Sequence, residues 1–272
     1  MYPTTLSAFN LLPKLRRFDV LIAHRYPMTV CCYIASRIFT NMYIYWFHHV
    51  VDSSRFKGLA KAWIRILHYL EVENFAATNA DMICAVSETS KADIQKYTTG
   101  DVYIVPNSID QARFNNPASI TAVSESFEID FDKIVLFVGR ITPQKNIREL
   151  VEIFKNIKQE EEEIGLVIAG SYSDESYVEE IMSKAGENIV FTGYISDSEL
   201  GGLYELADVF ATCSSSEGWS LTPAEAKYFD LPVIAYESNE SARAVGSRHL
   251  VAEGDRDEFK QELQMVINCC VE

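Results

Sequence analysis

At 272 residues, 48% of them hydrophobic and 23% charged, the chain has the make-up of a globular protein with a buried core, which excludes a disordered polyelectrolyte and admits one large or two modest domains. A formal net charge of −15 argues against nucleic acid as a partner along the whole chain. No apolar run reaches the ~18 residues of a membrane-crossing helix, and the N-terminus, M-Y-P-T-T-L-S-A-F-N, lacks the charged-then-apolar order of a signal peptide, so a cytoplasmic chain is expected.

Taken in order, Phe18 to Ala23 (F-D-V-L-I-A) reads as a buried strand, Met28 to Phe39 as a helix, and Asn41 to Phe47 (N-M-Y-I-Y-W-F) as an aromatic-rich strand. Arg55 to about Asn79 has helical periodicity, with Leu59, Ala62, Trp63, Ile66, Leu67 and Leu70 on one stripe and Arg55, Lys57, Lys61 and Arg65 on the other face. Residues 1 to 70 hold nine Lys or Arg and only Asp19 and Asp52, a balance of +7; the remainder, with 15 basic and 37 acidic residues, carries −22. The basic residues between 14 and 65 therefore suit peripheral contact with anionic lipid, although a helix packed on a sheet shows the same pattern. Met82 to Val86 is the next strand, Ser87 caps a helix running to about Tyr97, and Val102 to Val105 is a fourth strand. Strands alternating with helices predict a parallel sheet with crossover connections.

Pro106 to about Asp132 lacks clear periodicity and marks the domain boundary, giving a first domain of residues 1–117 and a second of residues 118–272. Beyond it, strands are expected at Ile134 to Val138, Leu166 to Ala169, Ile189 to Phe191, Val209 to Ala211 and Val233 to Tyr236. Helices fall between them near residues 147–162, 175–185, 197–207 and 222–229, and a last helix spans Asp257 to about Cys270. The fold class is α/β, with two Rossmann-like parallel-sheet domains whose ligands gather beyond the carboxyl ends of the strands. The six cysteines, Cys31, Cys32, Cys84, Cys213, Cys269 and Cys270, have neither C-x-x-C spacing nor the rhythm of a disulfide framework and read as reduced core thiols.

Two stretches at strand ends carry chemistry. Ser214 to Ala235 reads S-S-S-E-G-W-S-L-T-P-A-E-A-K-Y-F-D-L-P-V-I-A. Pro223 suits the first turn of its helix and Ser220 or Thr222 suits the cap; a helix N-terminus just past a strand offers N–H groups and a positive dipole end to a phosphate. Glu217 and Glu225, seven residues between them, flank that terminus and are placed to receive ligand hydroxyls. Two solvated acids beside an ordinary turn would have the same spacing. The second stretch, Gly139 to Asn146 (G-R-I-T-P-Q-K-N), follows V-L-F-V. Glycine lets the chain turn sharply, and Arg140 and Lys145 can converge on a diphosphate, one as a bidentate fork and one as a mobile point charge. Taken alone, such a pair is equally a solvated loop feature.

Together the two stretches resemble the retaining glycosyltransferases of family four, whose fold is called GT-B. Glu217, Gly218, Trp219, Ser220, Leu221, Glu225 and Ala226 match that family's E-G-F-G-L-P-x-x-E-A, followed by Leu231-Pro232-Val233-Ile234. Trp219 stands for Phe, Ser220 for Gly, and Asp230 for the Gly before the last strand, a left-handed position that Asp takes at some cost. Gly139 to Asn146 matches F-V-G-R-L-x-x-x-K-G, with Asn146 for the second Gly. Pro106 to Asp110 matches P-N-G-V-D with Ser108 for Gly, and Leu166 to Gly170 and Val190 to Tyr194 also match. The resemblance implies transfer of a sugar, with retention, from a nucleotide-sugar donor to a saccharide or lipid-linked acceptor. It implies that Arg140 and Lys145, with Gly139 and the helix start at Ser220, Leu221 and Thr222, hold the donor's phosphates. Glu225 would accept the ribose hydroxyls, Glu217 would touch the transferred sugar, and backbone near Tyr194 would meet the base. No metal cofactor is required by that scheme.

His48 follows the second strand, where many family members place a His facing the acceptor side; a structural role is the alternative, because the family's following Pro is Val50 here. His24 is a weaker candidate, and His68 and His249 read as structural. Asp130-Phe131-Asp132 spells a D-x-D metal motif but precedes a strand, the wrong end for a ligand, and reads as a solvated loop; the acidic run 159–163 reads as solvated surface. A nucleotide-binding regulatory protein of the same fold, or an epimerase or phosphorylase of related architecture, is the competing class. Only 17 residues, none of them Gly, precede the first strand, so the first domain is expected to be incomplete relative to the family. Its sheet edge would be exposed, which favours self-association or a partner chain.

Overall fold

The computed structural model describes residues 10–24, 28–48, 75, 78–157, 163–172, 175–214 and 219–269. They divide into two compact units, Met1–Asn107 and Ser108–Glu272.

In the first unit a short helix α1 (Leu12–Leu15) precedes β1 (Val20–Ala23), α2 (Met28–Phe39), β2 (Met42–Phe47), β3 (Met82–Ala85), α3 (Glu88–Ile94) and β4 (Val102–Ile104). The four strands form one parallel sheet in sequential order, with Val20 opposite Met42, Ile44 opposite Met82 and Ile83 opposite Val102. Tyr43, Tyr45 and Phe47, alternate residues of β2, are buried against Leu21, Ala23, Cys32, Ala35, Ile83 and Ile94. Ser87 caps α3 as expected, its hydroxyl accepting from Ser90 N at 3.1 Å. The F-D-V-L-I-A run, expected to be buried throughout, buries only Leu21 and Ala23. Val20 and Ile22 stay 45% and 46% exposed, because β1 is the sheet's edge and its second face is uncovered by the described residues. The amphipathic helix read from Arg55 to Asn79, with its basic face, and the acidic run 159–163 lie almost wholly outside the described residues.

The second unit is a doubly wound domain. Its strands are β5 (Lys133–Val138), β6 (Ile164–Ala169), β7 (Ile189–Gly193), β8 (Val209–Thr212), β9 (Val233–Tyr236) and β10 (His249–Val251), parallel in the order β10-β9-β8-β5-β6-β7. Val135 and Phe137 of β5 face one layer and Ile134, Leu136 and Val138 the other, the period-two alternation of a strand buried on both sides. The Val135 layer is covered by α5 (Ile147–Lys155), α6 (Glu175–Lys184) and α10 (Arg256–Cys269). The Leu136 layer is covered by α4 (Ile120–Phe127), α7 (Asp197–Leu206), α8 (Thr222–Tyr228) and α9 (Glu240–Ala244). Each large side chain so buried contributes about 1.5–3 kcal/mol, and α5 alone buries Ile147, Leu150, Val151, Ile153 and Phe154. Cys31, Cys32, Cys84 and Cys213 are buried thiols; Cys269, read as a core thiol, is exposed on the outer face of α10.

The stretch Pro106 to Asp132, aperiodic as a sequence, holds a 3-10 turn (Gln111–Phe114) and α4. Only Val123 of α4 is fully buried, too little for a visible stripe; local chemistry makes the helix instead. Ser119 accepts from Ala122 N at its start and Glu128, left-handed at φ 54°, ends it. Within the second unit, Phe114, Pro117, Ala118 and Val123 of this segment pack against Gly201 and Gly202 of α7. A Cβ on Gly202 would lie 2.6 Å from Ala118 O and from Val123 Cγ2. β10, α9 and the 3-10 turn were not legible in the sequence. Asp230 adopts the left-handed conformation (φ 60°) expected of it, and Asn146 does the same (φ 53°) where the family has Gly.

The carboxyl ends of β5, β6 and β7 are knitted together by backbone bonds, Gly139 N to Ala169 O and Gly170 N to Gly193 O, both 2.9 Å. At Gly170 (φ +149°) a Cβ would sit 1.9 Å from Gly139 O, so no side chain fits without parting the two strand ends. Gly170→Ala is therefore expected to cost about 2–4 kcal/mol in urea unfolding, whereas Gly186→Ala, with open space around its Cβ, should stay within about 0.5 kcal/mol. Equal effects would refute the close approach as the constraint at Gly170.

Candidate functional site

The site grows from the order of the second sheet. β5 pairs with β6 on one side and β8 on the other, and the helices that follow β5 and β8 leave toward opposite faces. The divergence opens a crevice at the carboxyl ends of β5 and β8, the place where doubly wound sheets hold ligands.

On the β5 side, Gly139 turns the chain and Arg140 is exposed. Ile141 is buried, its N–H donating to Ser171 O at 3.0 Å, so the loop is tied to the end of β6. A 3-10 turn (Pro143–Lys145) carries Lys145 back over Gly139, its Cε 3.6 Å from where a Cβ would stand. The structure thus brings Gly139, Arg140 and Lys145 to one strand end. Asn146, left-handed, starts α5 and donates through its side chain to Glu149. Glu149 is buried, accepts from the Tyr236 hydroxyl, and pairs with Arg256 Nε at 3.3 Å. The loop holding the two cations is therefore anchored to β9 and α10 through one carboxylate. Burial and the Glu149 hydrogen bond push the Tyr236 hydroxyl far above its ordinary range, so it donates.

On the β8 side, Pro223 lies in the first turn of α8, as expected, but neither Ser220 nor Thr222 caps it. A cap needs extended backbone, and the residue at that position, Leu221, is already helical (φ −80°, ψ −27°). The two hydroxyls meet each other at 3.1 Å instead, and Ser220 N donates to the Ser241 hydroxyl at 2.7 Å. Glu217 and Gly218 lie outside the described residues. Trp219, which replaces the family's Phe, has a buried indole N–H without a hydrogen-bond partner.

Glu225 is 3% exposed. One carboxylate oxygen accepts from Arg113 Nη1 at 3.0 Å and the other from the Tyr204 hydroxyl at 2.9 Å. Arg113 also donates to a single oxygen of Asp197, from Nε at 3.1 Å and Nη2 at 2.6 Å; that bond holds Asp197 below the usual carboxylate range and raises Arg113 further. Burial first, then the charge of Glu225, pushes the Tyr204 hydroxyl well up. Sequence reasoning missed Arg113 and Tyr204, since pairs separated by 112 and 21 residues leave no spacing to read. At the end of β7, Tyr194 is 85% exposed, an open aromatic face beside Gly193.

In the first unit His24 and His48 follow β1 and β2; Ala23, the last residue of β1, pairs with Tyr45, and β2 continues to Phe47. Nδ1 of His24 and Nε2 of His48 are 2.8 Å apart, and the His24 ring stacks on Trp46 at 5.5 Å. The stronger and the weaker histidine candidates are thus one pair. Of the other two, His249 pairs with Glu262 at 2.9 Å in a structural contact, and His68 lies outside the described residues. The D-x-D stretch is at the amino end of β5, where Asp132 accepts from Glu163 N at 2.9 Å, a tie between strand starts. Among the described residues no group of three or more His, Cys, Asp or Glu is placed to hold a metal, and no helix is long and apolar enough to cross a membrane.

Residues 121–269 match the family model described as "Glycosyl transferases group 1", and residues 1–113 match "Glycosyltransferase Family 4". An alpha-monoglucosyldiacylglycerol synthase of Streptococcus pneumoniae is 31% identical over 143 residues, 49% of this chain and 32% of that protein. A protein of the same name from Acholeplasma laidlawii is 29% identical over 142 residues, 50% of this chain and 36% of its own. The match spans about a third of the length of these curated relatives. The crystal structure of Anabaena Alr3699/HepE in complex with UDP and glucose superposes with a TM-score of 0.76 at 19% identity, over 98% of this chain and 72% of that one. The fold is GT-B.

Burial lowers His24 from its ordinary value of 6.5, so the folded first unit favours the neutral ring. Its contribution to stability is then complete above pH 6.5 and is lost as the pH falls through the lower folded value. Thermal melts at about pH 7.5 and about pH 5.5 should show a larger acid-induced drop for the wild type than for His24→Gln. Equal drops would rule out His24 as the titrating group.

Proposed function

The chain belongs to the group 1 glycosyltransferases of family 4, and from that premise we propose that it transfers a sugar from a nucleotide-sugar donor to a saccharide or lipid-linked acceptor. The observation that carries the proposal is Lys145 folded back over Gly139, next to the exposed Arg140, at the end of β5 where β5 and β8 part. A diphosphate there meets a fork and a point charge, and its departure is the step such cations favour. The Anabaena neighbour, which holds UDP and glucose, supports a nucleotide-sugar as the guest. The Streptococcus relative, named for a glycolipid synthesis, supports a lipid-linked acceptor.

In this reading residues 118–272 form the donor domain and residues 1–117 the acceptor side. The bond between the anomeric carbon and the diphosphate oxygen breaks, and its electron pair leaves with the diphosphate toward Arg140 and Lys145. Ser220, Leu221 and Thr222 border the phosphates, Glu225 accepts the ribose hydroxyls, and Tyr194 stands beside the base. The Glu217 carboxylate stabilises the positive charge that develops on the sugar ring, and the acceptor hydroxyl adds with retention, its proton passing to the departing diphosphate. His48 faces the acceptor. No metal takes part in this scheme. We assign the chain to the cytoplasm, with the basic residues of 14–65 as a contact for anionic lipid headgroups and the β1 edge as a surface for a second chain.

Titration calorimetry with UDP, ADP and GDP tests the donor site. Arg140→Ala and Lys145→Ala should each weaken the best nucleotide by about ten- to a hundredfold, the ~1.5–3 kcal/mol of a charge-assisted hydrogen bond. Glu217→Gln should bind that nucleotide like the wild type and slow donor hydrolysis roughly 10²–10³-fold. If no nucleotide or nucleotide sugar raises the melting midpoint of the wild type, the proposal fails.

A further inference from the structure

We infer that Arg113 and Tyr204 are positioning residues that set the Glu225 carboxylate for the ribose of the donor, an inference that rests on the donor site proposed above. The Glu225 side chain is 5% exposed. The surrounding Phe114, Tyr204 and Phe229 rings, with Ala226, would make an ionised carboxylate there cost several kcal/mol if it were unpaired. Arg113 supplies the charge. Its guanidinium is held from two sides, Nη1 by Glu225 and Nε with Nη2 by Asp197, while its carbon lies 5.4 Å from the Phe114 ring centre. Two acids share one cation, so Glu225 keeps net negative character toward an incoming hydroxyl.

Tyr204 supplies the second bond. Its ring is fully buried and stacked on Phe229 at 5.2 Å with 13° between the planes, and its hydroxyl reaches the second Glu225 oxygen. Each carboxylate oxygen therefore already accepts one hydrogen bond, and each has one lone-pair direction left. A carboxylate fixed in this way before the ligand arrives presents two acceptors at a set spacing, which suits two vicinal hydroxyls, and it avoids the entropic cost of ordering a free side chain. Arg113 lies in the 3-10 turn near the start of the second structural unit, Asp197 and Tyr204 on α7, and Glu225 on α8, so three separate segments meet on one side chain.

The test uses the full chain, with UDP and 2′,3′-dideoxy-UDP as probes in calorimetry. Tyr204→Phe keeps the ring stack and removes only the hydroxyl; Arg113→Lys keeps the charge and removes the fork. Each should weaken UDP about three- to tenfold while leaving the dideoxy probe, which has no hydroxyls for Glu225, bound as by the wild type. In a Glu225→Gln background neither change should weaken UDP further, since both act through the same carboxylate. A variant that weakens UDP and the dideoxy probe alike is acting through general stability, and that overturns the inference. So does a wild-type affinity in both variants when Glu225→Gln is impaired. Absence of nucleotide binding by the wild type would instead overturn the donor-site proposal, and this inference with it.

Discussion

The site depends on one constraint, the position of β5 at the switch in strand order. The chain lays β6 and β7 to one side of β5, then returns to lay β8, β9 and β10 to the other. Right-handed crossovers force α5 to one face and α8 to the other, so no helix can cover the ends of β5 and β8. The contact between β5 and β8 is itself short, with Val135 opposite Val209 and Leu136 opposite Phe210. The glycines tighten the same strand ends: Gly170 lets the end of β6 pass the Gly139 carbonyl, and a Cβ on Gly139 would meet Phe137 and Lys145. Among the described residues, the groups placed there are backbone, two cations and the start of α8.

Around this opening the protein buries two carboxylates by the same device on opposite faces of the sheet. Glu149, on the Val135 side, accepts from Tyr236 and pairs with Arg256; Glu225, on the Leu136 side, accepts from Tyr204 and pairs with Arg113. In a chain with a net charge of −15, the acids buried among the described residues are Glu149 and Glu225, and each has both a cation and a hydroxyl donor. Both lie in the first turns of the helices that border the crevice. One anchors the loop that carries Arg140 and Lys145, and the other is the carboxylate that we propose for the donor's ribose. The arrangement ties rigidity at the site to the packing of each helical layer.

Much of the second unit was legible because its strands are buried on both faces. Runs such as V-L-F-V and L-V-I-A have no other stable home, and the departures from glycine at Asn146 and Asp230 are residues that tolerate the left-handed conformation. What escaped the sequence had a physical reason in each case. α4 buries one residue fully and so has no stripe. β10 is three residues long at a sheet edge. The expected caps at Ser220 and Thr222 lost to a helical Leu221, because the two hydroxyls bond each other and Ser220 N is taken by Ser241. The cation and hydroxyl that hold Glu225 come from a turn and a helix distant in sequence, and only the fold brings them together.

The first unit shows the same limit from the other direction. The sequence places His24 and His48 separately, each after its own strand, and the family resemblance ranks His48 above His24. Parallel pairing of β1 with β2 makes the ranking moot, because it brings both carboxyl ends to one edge of the sheet and the facing ring nitrogens within 2.8 Å. Two imidazoles at 2.8 Å share one proton between facing nitrogens, so one ring donates and the other must accept. Burial favours the neutral form of His24, whose ring stacks on Trp46, and Ser90, part of the cap of α3, donates to the carbonyl of His48 at 2.7 Å and holds its backbone. The chemistry available to His48 is therefore set by a neighbour, a stacked indole and a helix cap. None of these can be read from the residue itself, and all follow from the order of the strands.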